Sequence, residues 1–265
     1  MPLLSAKLSD LQKCLANHAP MLVAYSGGVD STCLLVIAHH VLGNSVTGVI
    51  ADSPSLPRKA LERAVSVAEG FGITLKIIPT FELDNDNYAS NPLNRCYFCK
   101  FELFNKMDDM AARGQFASLA YGENADDASQ IRPGRQAAAN FAVIAPLKEA
   151  GLTKLEIRRL SREMGLPTAE DPAQPCLSSR VPHGTRVTKE TLHMIEQAEE
   201  FVRSQGFRVF RVRHVNSHSA RVQIAKSEMS TATHQQYDLI RRGLGAVGYR
   251  AVEIDPNGYV GAGTM

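Results

Sequence analysis

The chain has little of what several protein classes require. No apolar run approaches the length that crosses a bilayer, so a membrane protein is not expected. Cysteine is sparse, five in 265 residues, which does not suggest a disulfide scaffold. The start, Met1-Pro2-Leu3-Leu4-Ser5-Ala6-Lys7, lacks a sustained apolar segment, so no signal peptide is expected and a cytoplasmic setting is the default. Internal repeats and low-complexity tracts are absent. Net charge is only +2, too weak an excess to argue for nucleic acid as a partner. What is present is ordinary for a globular protein, 44% hydrophobic and 21% charged residues, enough for one large or two modest domains.

Charge is unevenly placed. Residues 1–157 hold 14 basic and 16 acidic side chains, whereas residues 158–265 hold 15 and 11. Of 19 arginines, 13 lie in the second stretch. Arginine suits bidentate contact with phosphate or carboxylate, although a solvated face would look the same.

Leu22-Val23-Ala24-Tyr25 has the pattern of a buried strand, and Cys33 to Ala38 that of a helix. Between them lies Ser26-Gly27-Gly28-Val29-Asp30-Ser31-Thr32. A glycine-rich loop from a strand end to a helix start aims backbone N–H groups and the positive helix end at one point, which suits phosphate. Gly27 and Gly28 allow a sharp turn, and Ser26, Ser31 and Thr32 add hydroxyls. Asp30 is unfavourable beside phosphate unless Mg²⁺ or a structural hydrogen bond holds it. The spacing is neither a Walker A motif nor G-x-G-x-x-G.

Further strands are expected at residues 46–51, 75–78, 117–121 and 141–144, with helices at 58–71, 94–113 and 153–164 between and after them. That alternation predicts an α/β doubly wound parallel sheet. Ligands in such sheets sit at strand carboxyl ends, which places the Ser-Gly-Gly loop, Asp52-Ser53 and Gly122-Glu123-Asn124 around one crevice. A Pro/Ser/Gly-rich stretch at 167–187 reads as a linker and active-site loop. Beyond it a helix at 189–204, strands at 207–214 and 220–225, a helix at 228–242 and a strand at 249–254 predict a smaller C-terminal α+β domain. The domain limits are therefore 1–166, 167–187 and 188–265.

Gly122-Glu123-Asn124-Ala125-Asp126-Asp127 could hold Mg²⁺ through carboxylates such as Asp126, or could be a helix cap made by Asn124. Cys96-Tyr97-Phe98-Cys99 has metal or redox spacing. Cys176, in Pro175-Cys176-Leu177-Ser178-Ser179-Arg180, is the candidate third ligand or a reactive thiol, with Arg180, His183 and Arg186 nearby in sequence. Cys14 and Cys33 lie on apolar helix faces and read as core. Arg211 and Arg213 are two apart on a strand and share a face, as an anion grip or as a surface ion-pair ladder.

Together these stretches resemble the LarE family of ATP-dependent sulfur transferases in nickel-pincer cofactor synthesis, a branch of the PP-loop ATP pyrophosphatases. The resemblance runs through Tyr25 to Ser31, Ala51-Asp52-Ser53-Pro54-Ser55-Leu56-Pro57-Arg58, Gly122 to Asp127, Arg132-Pro133-Gly134 and Pro175 to Arg180. It implies ATP and Mg²⁺ as cofactors. It implies a pyridinium-3,5-biscarboxylate mononucleotide as substrate, each carboxylate being adenylated and then converted to a thiocarboxylate. Ser26, Gly27, Gly28, Asp30, Ser31, Thr32, Asp52, Ser53, Arg58, Gly122, Asn124, Ser179, Arg180, Arg211 and Arg213 would bind cofactor and substrate, and Asp30 and Asp126 would hold Mg²⁺.

Sulfur has two routes within the resemblance. Cys176 could give up its own sulfur in a single turnover, or Cys96, Cys99 and Cys176 could hold a 4Fe-4S cluster, the favoured expectation because all three thiols are present. Relatives form hexamers, so a homo-oligomer is implied. In the family an acidic residue often follows the Ala-Arg-aliphatic stretch of the small domain; here Ala220-Arg221-Val222 is followed by Gln223, which puts any role of that acid in doubt. A PP-loop amide synthetase, a tRNA thiolase and a nucleotide sensor with structural zinc are the rival classes; no RNA-binding module is evident.

Overall fold

The structure, a computed structural model, describes residues 3–129, 133–216 and 218–259. Arg132 of the Arg-Pro-Gly motif lies outside them. In chain order the elements are α1 (Leu4–Asn17), β1 (Met21–Ala24), α2 (Val29–Leu42), β2 (Val46–Asp52), α3 (Arg58–Gly70), β3 (Leu75–Pro79), α4 (Asp86–Ala89), α5 (Arg95–Gly114), β4 (Ser118–Tyr121), α6 (Pro133–Asn140), α7 (Pro146–Glu149) and α8 (Lys154–Glu163). They continue with α9 (Lys189–Ser204), β5 (Phe210–Asn216), β6 (Ser219–Ile224), α10 (Lys226–Met229), α11 (His234–Val247) and β7 (Ala251–Ile254). The chain divides into two compact units, Met1–Glu82 with Asn94–Asp171, and Leu83–Leu93 with Pro172–Met265. The segment 83–93 thus joins the second unit, a non-local association that a linear reading of domain limits does not contain.

The first unit is built on a parallel sheet in the order β3-β2-β1-β4. Each residue of β1 pairs on both sides, Met21 with Val46 and Ser118, Ala24 with Val49 and Tyr121. A central parallel strand must be covered on both faces, and all four residues of β1 are buried. Met21 and Val23 belong to a core with Leu11 and Leu15 of α1, the apolar side of α2 and Ile157 and Leu160 of α8. Leu22 and Ala24 belong to a second core with Phe104 and Met107 of α5 and Ala137 and Ala138 of α6. The alternation of a strand therefore assigns each helix layer its face.

The expected strand at 141–144 is not formed. Ala142 takes φ +48°, which breaks extended backbone, and Val143 N–H returns to Ala138 O at 2.9 Å to close α6. Only Ile144 reaches the sheet, as a single bridge to Ala120. α8 starts at a capping box, with Thr153 Oγ1 accepting from Glu156 N–H and Glu156 accepting from Thr153 N–H. Among the described residues no helix is long and apolar enough to cross a membrane.

The second unit has a three-stranded mixed sheet in the order β5-β6-β7. One face, with Phe210, Val212, Ala220, Val222 and Ile224, packs on Ala198 and Val202 of α9 and Ile240 and Leu244 of α11. The expected helix at 228–242 is instead two helices. Thr231 to Thr233 interrupts it, and Thr233 and Gln236 form a new capping box at the start of α11. Ser and Thr hydroxyls compete with helix continuation in this way.

His214 is buried in this unit, with Nδ1 3.1 Å from Tyr249 Oη. Burial holds its pKa below the ordinary 6.5. The unfolded chain therefore binds the extra proton first as pH falls. The stability this neutral imidazole contributes is complete above about 6.5 and is lost as pH falls through the folded value. Wild type should lose more resistance to urea between about pH 7.5 and about pH 5.5 than His214→Phe does; equal losses would remove His214 as the cause.

Candidate active site

Each unit carries one cluster of chemistry. In the first unit, the Ser-Gly-Gly loop leaves the carboxyl end of β1 and enters α2. Gly27 sits at φ +73°, and a Cβ there would lie 2.9 Å from Ala64 Cβ, so conformation and space both require glycine. Gly28 is extended and precedes the first helical residue. Ser31 fixes the turn: its Oγ accepts from Ser26 N–H at 3.2 Å, lies 3.0 Å from Ser26 Oγ and donates to Gly28 O at 3.1 Å.

Between β1 and β4 the sheet order reverses, the point where open α/β sheets bind ligands. A cavity of about 120 Å³ lies there. Ser26, Gly28, Asp30, Ser31 and Gly122 line it, together with Tyr121 and Lys100. Gly122 makes the close approach possible: a Cβ there would lie 2.8 Å from Ser31 N and 3.0 Å from Ser31 Cα.

The two lysines that serve this loop were not among the sequence candidates. Lys100 lies on α5, one turn beyond Cys96, with Nζ 5.3 Å from the Phe104 ring centroid and 5.4 Å from that of Tyr121. Its i+4 spacing from Cys96 was the available signal. Lys154 Nζ contacts Asp30 Oδ2 at 2.7 Å across 124 positions of sequence, a separation that no local pattern encodes. Asp30 Oδ1 is buried without a hydrogen-bond partner. The structural bond that Asp30 requires is thus met on one oxygen only.

Asn124 is a cap: its Oδ1 accepts from Asp126 N–H at 3.0 Å and Asp127 N–H at 3.2 Å. Asp126 Oδ2 in turn accepts from Lys154 N–H at 2.8 Å, so both proposed Mg²⁺ carboxylates converge on Lys154. Glu123 is buried and contacts Tyr121 Oη, Arg135 at 2.6 Å and Lys148 at 3.5 Å. Burial alone would raise its pKa, but Tyr121, Arg135 and Lys148 outweigh it and hold the carboxyl below its usual range. At the end of β2, Arg58 binds Asp52, Ser53 O at 2.6 Å and Leu56 O at 2.8 Å, clamping the loop. Ser53 and Ser55 hydroxyls both donate to the buried Glu82. Thr32 is buried on α2.

The five cysteines separate by environment. Cys33 is fully buried and its pKa is pushed up to about 12 by burial. Cys14 is half-buried rather than core; burial and Glu149 raise it to about 11. Cys96 is exposed and Cys99 half-buried at the start of α5 in the first unit. Cys176, half-buried, belongs to the second unit. Within each unit, among the described residues, no three His, Cys, Asp or Glu side chains are grouped to hold a metal ion.

In the second unit, Cys176 precedes a single helical turn, Leu177–Arg180. Arg180 Nη1 donates to Pro175 O at 2.5 Å and Cys176 O at 3.1 Å. Its other nitrogens form a bidentate pair with buried Glu199 at 2.8 and 3.0 Å. Arg213 Nη1 donates to Ser179 O at 2.8 Å, and Arg211 Nη2 to Ala173 O at 2.6 Å. Arg186 and His183 turn instead to Asp86 and Asn91 of segment 83–93. Neither Arg211 nor Arg213 contacts a carboxylate among the described residues. Burial, then the charge of Arg180, lowers the pKa of both. Without a carboxylate partner among the described residues, the two do not form a surface ion-pair ladder.

No protein-family model matches the chain. Its sequence is 42% identical over 211 residues to an uncharacterised protein of Synechocystis, covering 80% of this chain and 79% of that one. It is 31% identical over 264 residues to the pyridinium-3,5-bisthiocarboxylic acid mononucleotide synthase of Lactiplantibacillus plantarum, covering 98% and 94%. A weaker similarity, 25% over 201 residues, links it to one of the subunits of the glutamine-hydrolysing GMP synthase of Saccharolobus islandicus, covering 69% of this chain and 54% of that one.

Two outcomes follow from the loop geometry. Gly122→Ala should keep the fold but raise the Kd for ATP by at least about tenfold, on the order of 1.4 kcal/mol, because its Cβ displaces the Ser31 amide; unchanged titration calorimetry would refute this. For the Lys154–Asp30 pair, a double-mutant cycle of Lys154→Met and Asp30→Asn should give a coupling of about 1 kcal/mol, modest because both side chains are partly exposed. Additive unfolding energies would mean that the contact contributes nothing.

Proposed function

The chain belongs to the LarE family of pyridinium-3,5-bisthiocarboxylic acid mononucleotide synthases, within the PP-loop ATP pyrophosphatases, and from that premise we propose its reaction. It is an ATP-dependent sulfur transferase. A substrate carboxylate attacks the α-phosphorus of ATP, the α–β bridge breaks, and pyrophosphate leaves. A sulfur nucleophile then adds to the acyl adenylate, AMP departs, and a thiocarboxylate remains. A second round treats the other carboxylate of the pyridinium-3,5-biscarboxylate mononucleotide. The carboxylate oxygen alone is a poor leaving group; as part of AMP it is a good one.

The first unit activates. Backbone N–H groups of Gly27 and Gly28, the Ser26 and Ser31 hydroxyls and the Lys100 ammonium receive the charge that grows on departing pyrophosphate. Asp52, Ser53 and Arg58 shape the end of β2 for the adenosine. Asp30, with one buried oxygen still open, fits a divalent cation, and Asp126 is its neighbour through Lys154. Mg²⁺ bound there supplies charge neutralisation between the phosphates.

The second unit delivers. One observation carries this reading: Arg180 and Arg213, two of the three clustered arginines, hold the carbonyls of the Cys176 loop. The reactive thiol and an anion grip are thereby parts of one construction. Arg211 and Arg213 take the mononucleotide phosphate, and the loop presents Cys176 to the adenylated carboxylate. The thiols of Cys96, Cys99 and Cys176 have the soft donor chemistry that suits a 4Fe-4S cluster, which when bound supplies a renewable hydrosulfide. The enzyme works in the cytoplasm as a homo-oligomer, hexameric by resemblance to its relatives.

Anaerobic iron–sulfur reconstitution of wild type and Cys96→Ala, read by EPR and product mass, tests the proposal. Expected are AMP, pyrophosphate and thiocarboxylate in more than one turnover, with a stoichiometric cluster that Cys96→Ala loses. No cluster, with Cys176 lighter by one H₂S after reaction, would replace the cluster route by sacrifice of the Cys176 sulfur. An amide in place of the thiocarboxylate, formed equally by wild type and Cys176→Ala, would overturn sulfur transfer in favour of an amide synthetase.

A further inference from the structure

Gln223 bridges two charged side chains, Arg213 and Asp255. Register places Arg211 opposite Gln223 and Arg213 opposite Arg221 on the paired strands, and Arg221 opposite Glu253 on the next. These side chains therefore leave one face of the second sheet. Arg221 is already paired with Glu253 at 2.9 Å. Gln223 Oε1 accepts from Arg213 Nε at 3.0 Å, while Gln223 Nε2 donates to Asp255 Oδ2 at 2.9 Å. Asp255 Oδ1 accepts from Asn257 N–H at 3.0 Å.

The amide has the right donor on one side and the right acceptor on the other. A carboxylate at 223 would make the same bond to Arg213, cancel its charge, and face Asp255 oxygen to oxygen. The amide fixes Arg213 in the same geometry and leaves its charge intact. Meanwhile Glu199 is fully engaged by Arg180 and Val212 N–H. Arg211 and Arg213 each use two N–H groups on neutral partners, which leaves three on each guanidinium. Two uncancelled charges with six donors match a dianion better than a carboxylate or another monoanion.

We propose that Gln223 is a positioning residue that holds Arg213 without neutralising it, so that Arg211 and Arg213 together select a dianion of the phosphate monoester class. The inference rests on the arginine-pair reading of the preceding subsection and adds the residue that sets the charge the pair presents.

Titration calorimetry of the full-length protein with sulfate, a dianion, and methyl sulfate, a monoanion of similar shape, tests it at constant ionic strength. Gln223→Glu should weaken sulfate by about tenfold or more and leave methyl sulfate far less affected, the mark of a lost charge. Gln223→Met, which removes both hydrogen bonds and adds no charge, should weaken the two anions in parallel. Parallel loss in Gln223→Glu, or no loss, overturns the proposal. Should Gln223→Glu fail to fold, Asp255→Asn decides: it keeps an acceptor for Gln223 and removes a charge, so the preference for sulfate over methyl sulfate should rise. An unchanged preference overturns the proposal. Sulfate binding by Arg213→Met equal to wild type would instead bring down the arginine-pair reading itself.

Discussion

The first unit depends on a close approach of two backbones. β4 lies beside β1, and the residue that leaves β4 passes directly under the first turn of α2. With Gly122 there, the Ser31 amide can sit where a Cβ would reach 2.8 Å. From that contact follow the position of the loop, the direction of its N–H groups and the small cavity at the reversal of strand order. Gly27 meets the same demand from the other side, against Ala64 of α3. Two glycines on separate segments thus permit the close approach of the sheet and loop to α2 and α3, and the small cavity is what remains.

Charge is handled differently in the two units. In the first, carboxylates near the loop meet cations: Asp30 meets Lys154, and Glu123 meets Arg135 and Lys148. One oxygen is left over, Asp30 Oδ1, which is buried without a hydrogen-bond partner. In the second unit the imbalance is kept. Glu199 neutralises Arg180 alone, and Arg211 and Arg213 rest on carbonyls and an amide. Desolvated guanidinium groups are costly to assemble, and three together more so.

The sequence made the strand–loop–helix legible because its chemistry is local. Period, glycine placement and hydroxyl spacing all lie within ten residues. The Cys176 loop and the pairing of Arg211 with Arg213 on one face were legible for the same reason. What was not legible depends on distance along the chain or on backbone conformation. Lys154 reaches Asp30 from 124 positions away. The left-handed Ala142 ends an apolar stretch that by composition reads as a fifth strand. Segment 83–93 joins the second unit through contacts such as Tyr88 Oη to Ser178 Oγ at 2.7 Å, which no composition shift announces. Gly122 to Asp127 could be read as a carboxylate metal site or as a cap, and only the two N–H groups on Asn124 Oδ1 show that the cap is made.

The cysteines show how environment turns composition into chemistry. A thiol acts as a thiolate, and burial penalises the charged form. Cys33, enclosed in the first core, is pushed up to about 12, and Cys14, beside Glu149, up to about 11. Burial thus disfavours the thiolate of both, and only Cys33 packs as a small apolar side chain of the core. That leaves Cys96, Cys99 and Cys176, each at least partly exposed and each on a segment bearing cationic side chains: Lys100 follows the first two, and Arg180 holds the carbonyl of the third.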